Sequence, residues 1–387
     1  VSSWARLEGV VSQDLPDAAT TGPRPSAAPA HIEPRWQFEG HRDYIAHRRI
    51  LLFLMIWSAT ILGVAYFVVQ VPAVTPVWKH PDYESRYGYT FSLLLVYVPW
   101  LVHMLWFLRR LRTDPHLRPV GWALLQNTML IGSLWIVLDI LLANLLFEFP
   151  HREAHVGVYV PGFLWSDGCD SVWQMWRLRT CYRADRIPVE EVFFYLGSAA
   201  LLRMMYMWST EYFYSRYRMP DDLYVKSARE AIPLVDVDRK FIWWALLILA
   251  IGTAIKKTPA SWVPWLRWHD YQEGWPVYLA CELVIIFGTL ALLRRKVRLF
   301  TNVRAFLFVV VLQVLVSIVW EATFAVPLGW WNYQMRAMVG VTISPWSNLP
   351  IEACFLWVSV GWGVMVMYET AKIKAVTGYS WRRVLRG

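Results

Sequence analysis

Eight blocks of mostly apolar residues divide this chain, at about 50–71, 89–108, 121–147, 188–210, 240–256, 276–293, 303–327 and 349–368. A helix needs roughly 20 such residues to cross a hydrocarbon core of about 30 Å, and most of the blocks reach that length. Within hydrocarbon the backbone must satisfy its own hydrogen bonds, so a helix is the form open to them. Of 387 residues, 57% are hydrophobic and only 17% charged, and tryptophan occurs 25 times, more apolar surface than a soluble domain of this size uses. The expected fold is all-α: a polytopic membrane bundle of eight transmembrane helices.

Loop charge sets the expected orientation. Connections on the side that holds both termini carry more than twice the lysines and arginines of those on the other side. Basic loops stay inside, so both termini are expected in the cytoplasm. The net charge of +9 then reflects basic loops against anionic lipid and calls for no nucleic acid. Residues 1–45, rich in Pro, Ala and Ser, read as a disordered cytoplasmic tail. They lack the apolar core of a signal peptide, which leaves the first block as the expected signal anchor. Cys281 and Cys354 fall in spans as small core residues. Cys169 and Cys181 share a long loop on the outer side, where an oxidising compartment would allow a disulfide.

Two phrases stand out against this background: Ile187-Pro188-Val189-Glu190-Glu191 and Leu349-Pro350-Ile351-Glu352. Each carries a carboxylate into the first turn of an apolar span, a costly place for a charge unless it is protonated, paired or used. The third and seventh spans match as well, with Ile136-Val137-Leu138-Asp139 in one and Ile318-Val319-Trp320-Glu321 in the other. The expected unit is therefore four helices long and occurs twice in parallel. Membrane repeats over 46–215 and 216–370 would be followed by a cytoplasmic tail over 371–387.

Topology gathers the acids. Asp139 and Glu321 lie late in outward-running helices, while Glu190, Glu191, Glu352 and Glu282 lie early in inward-running ones. Six carboxyl groups are thus expected near one depth, with no lysine or arginine in a span at that level. Arg203 falls three to four turns further down the fourth span. Crowding and desolvation favour the protonated form of a carboxyl group, which can then act as a proton donor. A first-turn Glu also suits the helix dipole, and Pro suits a helix start, so each acid has a purely structural reading too.

Aromatic residues accompany both phrases: Trp330, Trp331, Tyr333 and Trp346 before the second, and Trp165, Trp173, Trp176 and Tyr182 before the first. Some are expected in the interfacial belt. Others could present ring faces to a cation. An acid, a second carboxylate and an aromatic-walled apolar pocket are what protonation of an isolated alkene requires.

The phrases Pro-Val-Glu-Glu-Val-Phe-Phe and Pro-Ile-Glu-Ala-Cys-Phe, with the upstream acids and Trp-Trp-Asn-Tyr at 330–333, resemble the membrane-integral lycopene beta-cyclases. This is the flavin-free type found as two small subunits or one fused chain. The resemblance covers the third-to-fourth and seventh-to-eighth spans. It implies proton-initiated, redox-neutral cyclisation of a hydrophobic isoprenoid, a lycopene-like end group or a shorter prenyl chain, with no metal or cofactor. It places Glu190, Glu191 and Glu352 on the acid phrase and Asp139 and Glu321 on the upstream acid. Trp331, Tyr333, Trp330, Trp176 and Trp173 are the candidate substrate-binding rings. The chain departs from the pattern at Ala353, which replaces the second glutamate, and in the long insertion before Glu190.

That insertion carries Asp167-Gly168-Cys169-Asp170 and then Arg177, Arg179, Arg183 and Arg186. It reads as an interfacial helix with solvated arginines, with a lid or a diphosphate site as the sharper options. Two other functions fit the composition. A proton- or cation-coupled transporter would use the same intramembrane acids. Against it, the acids share one depth and no Gly- or Pro-broken helix is expected at the midplane. A hydratase on the same fold would let water capture the cation.

Overall fold

The computed structural model describes residues 87–113, 118–163, 182–214, 217–259, 274–343 and 346–387, with isolated positions between 49 and 60. The expected N-terminal tail, most of the first span, Trp165, Trp173, Trp176, Cys169 and Cys181 lie outside these residues.

Seven long helices fall on seven of the expected spans: α1 Gly88–Thr113, α2 Arg118–Leu146, α3 Val189–Trp208, α5 Arg239–Lys257, α6 Val277–Val297, α7 Val303–Trp320 and α8 Ile351–Thr377. Two short α-helices, α4 Asp221–Ala231 and α9 Trp381–Arg386, accompany them among the described residues. Five helices, α1, α2, α6, α7 and α8, are long and apolar enough to cross a membrane. Their outer faces expose Leu94, Val137, Val284, Val311 and Leu315, as lipid contact requires, and the chain is an integral membrane protein on that evidence. The others are less apolar for visible reasons: α3 contains Glu190, Glu191 and Arg203, and α5 begins and ends in basic pairs.

Local chemistry sets the helix ends. The side chains of Asn302, Asp238 and Ser380 accept from backbone amides at the starts of α7, α5 and α9. Gly378, at φ 69°, closes α8 in the left-handed conformation that glycine adopts without steric cost. α3 and α7 each run on into a π turn, Ser209–Phe213 and Glu321–Ala325. Pro99 lies inside α1, yet the helix runs unbroken from Gly88 to Thr113. A proline there removes one rung of the amide ladder, which neighbouring helices make tolerable in a membrane.

The all-α expectation omits three small antiparallel ladders at the end where the acids lie. β1 Phe147–Glu148 pairs with β4 Asn332–Tyr333, β2 Tyr159–Phe163 with β3 Tyr182–Pro188, and β5 Thr342–Ile343 with β6 Leu349–Pro350. The last two deliver the chain into α3 and α8 in the same way. Val189 N donates to Val158 O at 2.9 Å, and Ile351 N donates to Val341 O at 3.0 Å. Behind those carbonyls lie Ala154-His155-Val156-Gly157-Val158 and Ala337-Met338-Val339-Gly340-Val341, with the glycines at φ 83° and 98°.

At the opposite end a second polar group binds α4 to α8. Tyr206 and Tyr224 hydroxyls donate to Glu369 at 2.8 and 3.0 Å, Arg218 donates to Glu211 at 2.7 Å, and Lys372 lies 3.6 Å from Glu211. Leu234 and Val384, both fully buried, pack beside it.

Gly340→Ala is expected to lower stability by about 1–2 kcal/mol, because a Cβ is strained at positive φ. Gly288→Ala, inside α6 with open space around it, should be neutral or stabilising by about 0.5–1 kcal/mol. Thermal unfolding in detergent measures both, and equal effects would contradict the strained-turn account.

Candidate active site

A proline stands at each helix mouth, where its missing N–H costs nothing, and the hairpin behind it supplies a donor. Pro188 and Pro350 occupy the N-cap positions with nearly equal backbone angles, and neither end has a side-chain cap. The glutamates turn back to the hairpins: Val156 N donates to Glu190 Oε1 at 2.6 Å, and Val339 N donates to Glu352 Oε1. Thr90 Oγ1 adds a second donor to Glu190 Oε1 at 2.6 Å. The other oxygen of each glutamate is buried with no hydrogen-bond partner.

The remaining acids assemble around this pair. Tyr89 donates to Glu191 Oε1 at 2.6 Å. Glu321 accepts from Trp357 Nε1 at 2.8 Å and from the Tyr333 hydroxyl. Asp139 is hydrogen-bonded to Tyr195. Tyr195 and Trp357 each stand five residues after the phrase glutamate, and each reaches the upstream acid of its own half. Glu191 interacts electrostatically with Glu190, Glu321 and Asp139, and Glu282 with Glu352. Tyr278 interacts with Glu282, Glu321 and Glu352 and also with Tyr195, so it joins the two groups. The six carboxyls expected at one depth do come together, and all six are buried.

One expectation is corrected at this level. Lys256, near the end of α5, is buried and donates to Met338 O at 2.6 Å and to Met335 O at 3.1 Å. It interacts electrostatically with Glu352. In sequence it reads as a charged flank of its span, yet its long stem carries the ammonium inward to carbonyl acceptors.

Two apolar spaces meet the cluster. A groove of about 430 Å³ between α1 and α3 is lined by Thr90, Tyr97, Trp100, Val156, Glu190 and Phe193, and it extends to Met104 and Met204. A narrower space of about 50 Å³, enclosed by α1, α3, α7 and α8, is bounded by Phe194, Gln313, Trp320 and Trp357. Leu93, Tyr97, Trp100 and Leu201 border both.

Of the candidate substrate-binding rings, Trp330, Trp331 and Tyr333 are described, and they sit behind the acids rather than on the groove. Trp331 lies 5.2 Å from the Tyr89 ring and 4.9 Å from Trp320, Trp330 stacks on Phe324, and Tyr333 serves Glu321. Trp346 is largely exposed. Rings missed in the sequence face the spaces instead: Tyr97, Trp100, Phe193, Trp320 and Trp357. His155, also missed, packs against Tyr89, Phe149 and Tyr159 in the connection behind Glu190. Burial among these rings pushes its pKa below the ordinary imidazole value, and the Glu190 charge pulls the other way. The repeated Ala-x-Val-Gly-Val was the available signal for this region.

Comparison with known protein families, curated proteins and solved structures finds no match for this chain.

Tyr89→Phe strips Glu191 of a side-chain donor and should cost about 1–3 kcal/mol, the penalty for a stranded buried acceptor. Tyr333→Phe leaves Glu321 its Trp357 bond and should cost less. Melting temperatures of the purified variants check the order, and the reverse order would contradict this description of the cluster.

Proposed function

We propose that this protein is an integral-membrane terpenoid cyclase that performs redox-neutral, proton-initiated ring closure on a hydrophobic isoprenoid. The observation that carries this reading is the Glu190 carboxyl at the wall of a large apolar groove lined with aromatic rings. The motif resemblance to membrane lycopene beta-cyclases agrees with it. The matched hairpins, prolines and acids support two parallel four-helix repeats within an eight-helix bundle, and the bias of basic residues between its connections supports both termini in the cytoplasm.

The chemistry balances within the cluster. Six carboxyl groups and Lys256 cannot all carry charge in so little space, and the arrangement leaves protons on carboxyls. In this mechanism a proton passes from the Glu190 carboxyl to one carbon of a terminal alkene, breaking an O–H bond, forming a C–H bond and leaving a cation on the neighbouring carbon. An internal double bond attacks that cation and closes the ring, and the faces of Tyr97, Trp100 and Phe193 stabilise the charge as it moves. The Glu190 carboxylate left by that transfer then removes a proton from the adjacent carbon and is restored, with Glu191, Asp139 and Glu321 behind it to tune its charge. No electrons are gained or lost, and no cofactor is consumed. The rest of the substrate lies along α3 from Glu190 to Met204, about 20 Å at the rise of an α-helix.

Membranes containing the protein, supplied with lycopene, squalene or prenyl diphosphates in deuterated water, are expected to yield a cyclised product with one added deuterium. Unlabelled products, or ion flux without product, would overturn the mechanism. Glu190→Gln should lower turnover by at least about 100-fold, the usual contribution of a positioned acid, while the protein still folds.

A further inference from the structure

The surroundings of Glu190 and Glu352 agree in backbone and differ in every group a proton could use. In both, a valine amide donates to the carboxyl, a positive-φ glycine follows that valine, and a proline opens the helix. Beyond that frame the two sites part. Glu190 lies on the 430 Å³ groove, whereas neither described space is lined by Glu352. Glu190 has a second carboxyl, Glu191, beside it in its helix, where the other half has Ala353. His155 precedes the donating valine in the first half, and Met338, which carries no exchangeable proton, precedes it in the second. Thr90 donates to Glu190, while the basic group acting on Glu352 is Lys256, itself held by the carbonyls of Met335 and Met338.

We propose that Glu190 alone carries the proton step, and that Glu352, its backbone twin, is a structural anchor held by the Val339 amide beside Lys256. The proposal rests on the cyclase reading for what the proton does, but the inequality of the two acids can be measured without it. Of the six carboxyl groups, Glu190 is the one that stands at the wall of a described space, where a substrate carbon can come to it. A carboxyl group that shares a buried site with a lysine and takes a backbone amide is instead part of the frame, and removing its partner strands it. Lys256 also fastens the chain just before β5, since the carbonyls it holds belong to the segment that carries Val339.

The test uses dicyclohexylcarbodiimide, an apolar reagent. A protonated carboxyl adds its O–H across one C=N bond of the reagent, and the adduct rearranges to a stable N-acylurea with nothing lost. Full-length protein in lipid vesicles would be treated and its peptides analysed by mass spectrometry. Adduct is expected on Glu190 and absent from Glu352. Adduct on Glu352 at equal or greater yield, or none on Glu190, overturns the proposal.

Stability supplies the second measurement. Lys256→Met should lower the melting temperature, and adding Glu352→Gln should recover most of the loss. No recovery in the double variant overturns the anchoring role. Where product is made, the double variant should keep turnover within about tenfold of the parent, against the far larger loss in Glu190→Gln. Selective labelling without any cyclised product would sink the cyclase reading and leave the inequality standing. Product formation with labelling on Glu352 would do the reverse.

Discussion

Inside hydrocarbon a buried acceptor has to find its donor within the protein, and at both acid-bearing helix mouths that donor is a valine amide. Val156 and Val339 can turn their N–H groups toward Glu190 and Glu352 because a glycine in the left-handed region follows each of them. That turn lets the next carbonyl bond the first amide of the helix, which fixes where the helix begins. Five residues beyond each glutamate, Tyr195 and Trp357 then come into reach of Asp139 and Glu321. The placement of four carboxyl groups descends from two amides.

The two ends of the bundle handle charge in opposite ways. At one end Glu211 and Glu369 have Arg218 and Lys372 beside them, and two tyrosine hydroxyls bind the second acid. Such a group is balanced and serves to hold α4 against α8. At the other end six carboxyl groups gather, Lys256 acts on Glu352, and several of the carboxyl oxygens have no hydrogen-bond partner. Arg203 lies between these ends, fully buried, with one bond to Thr128 at 3.0 Å. A balanced group holds helices together; an unbalanced one at a cavity wall is the arrangement that proton chemistry needs.

The spans were legible because uncharged runs of this length leave the backbone few alternatives, and the prolines and acids were legible because membrane helices seldom carry either. The alternating direction of the spans by itself brings Asp139, Glu190, Glu191, Glu282, Glu321 and Glu352 to one level. The ladders were not legible. Val156 stands 34 residues before Glu190 but Val339 only 13 before Glu352, so the long insertion hid a matched pair of Val-Gly-Val turns. Lys256 escaped because a lysine at the end of a span reads as solvated until its carbonyl partners are seen. Trp331 and Tyr333 were rightly placed beside the acids, but the rings on the groove come from α1 and α3. Tyr97, Trp100 and Phe193 look in sequence like ordinary span residues.

The pairing of β1 with β4 has a further consequence. Phe147 faces Tyr333 and Glu148 faces Asn332, so a ladder two residues long stitches the two halves of the chain beside the acids. Helices respond to a thicker or thinner bilayer by tilting. A backbone stitch resists such motion far better than side chains that can exchange partners, so it becomes the pivot. The far ends of the helices then sweep through the larger arc, and the spacing of the carboxyl groups is insulated from the lipid the protein happens to occupy.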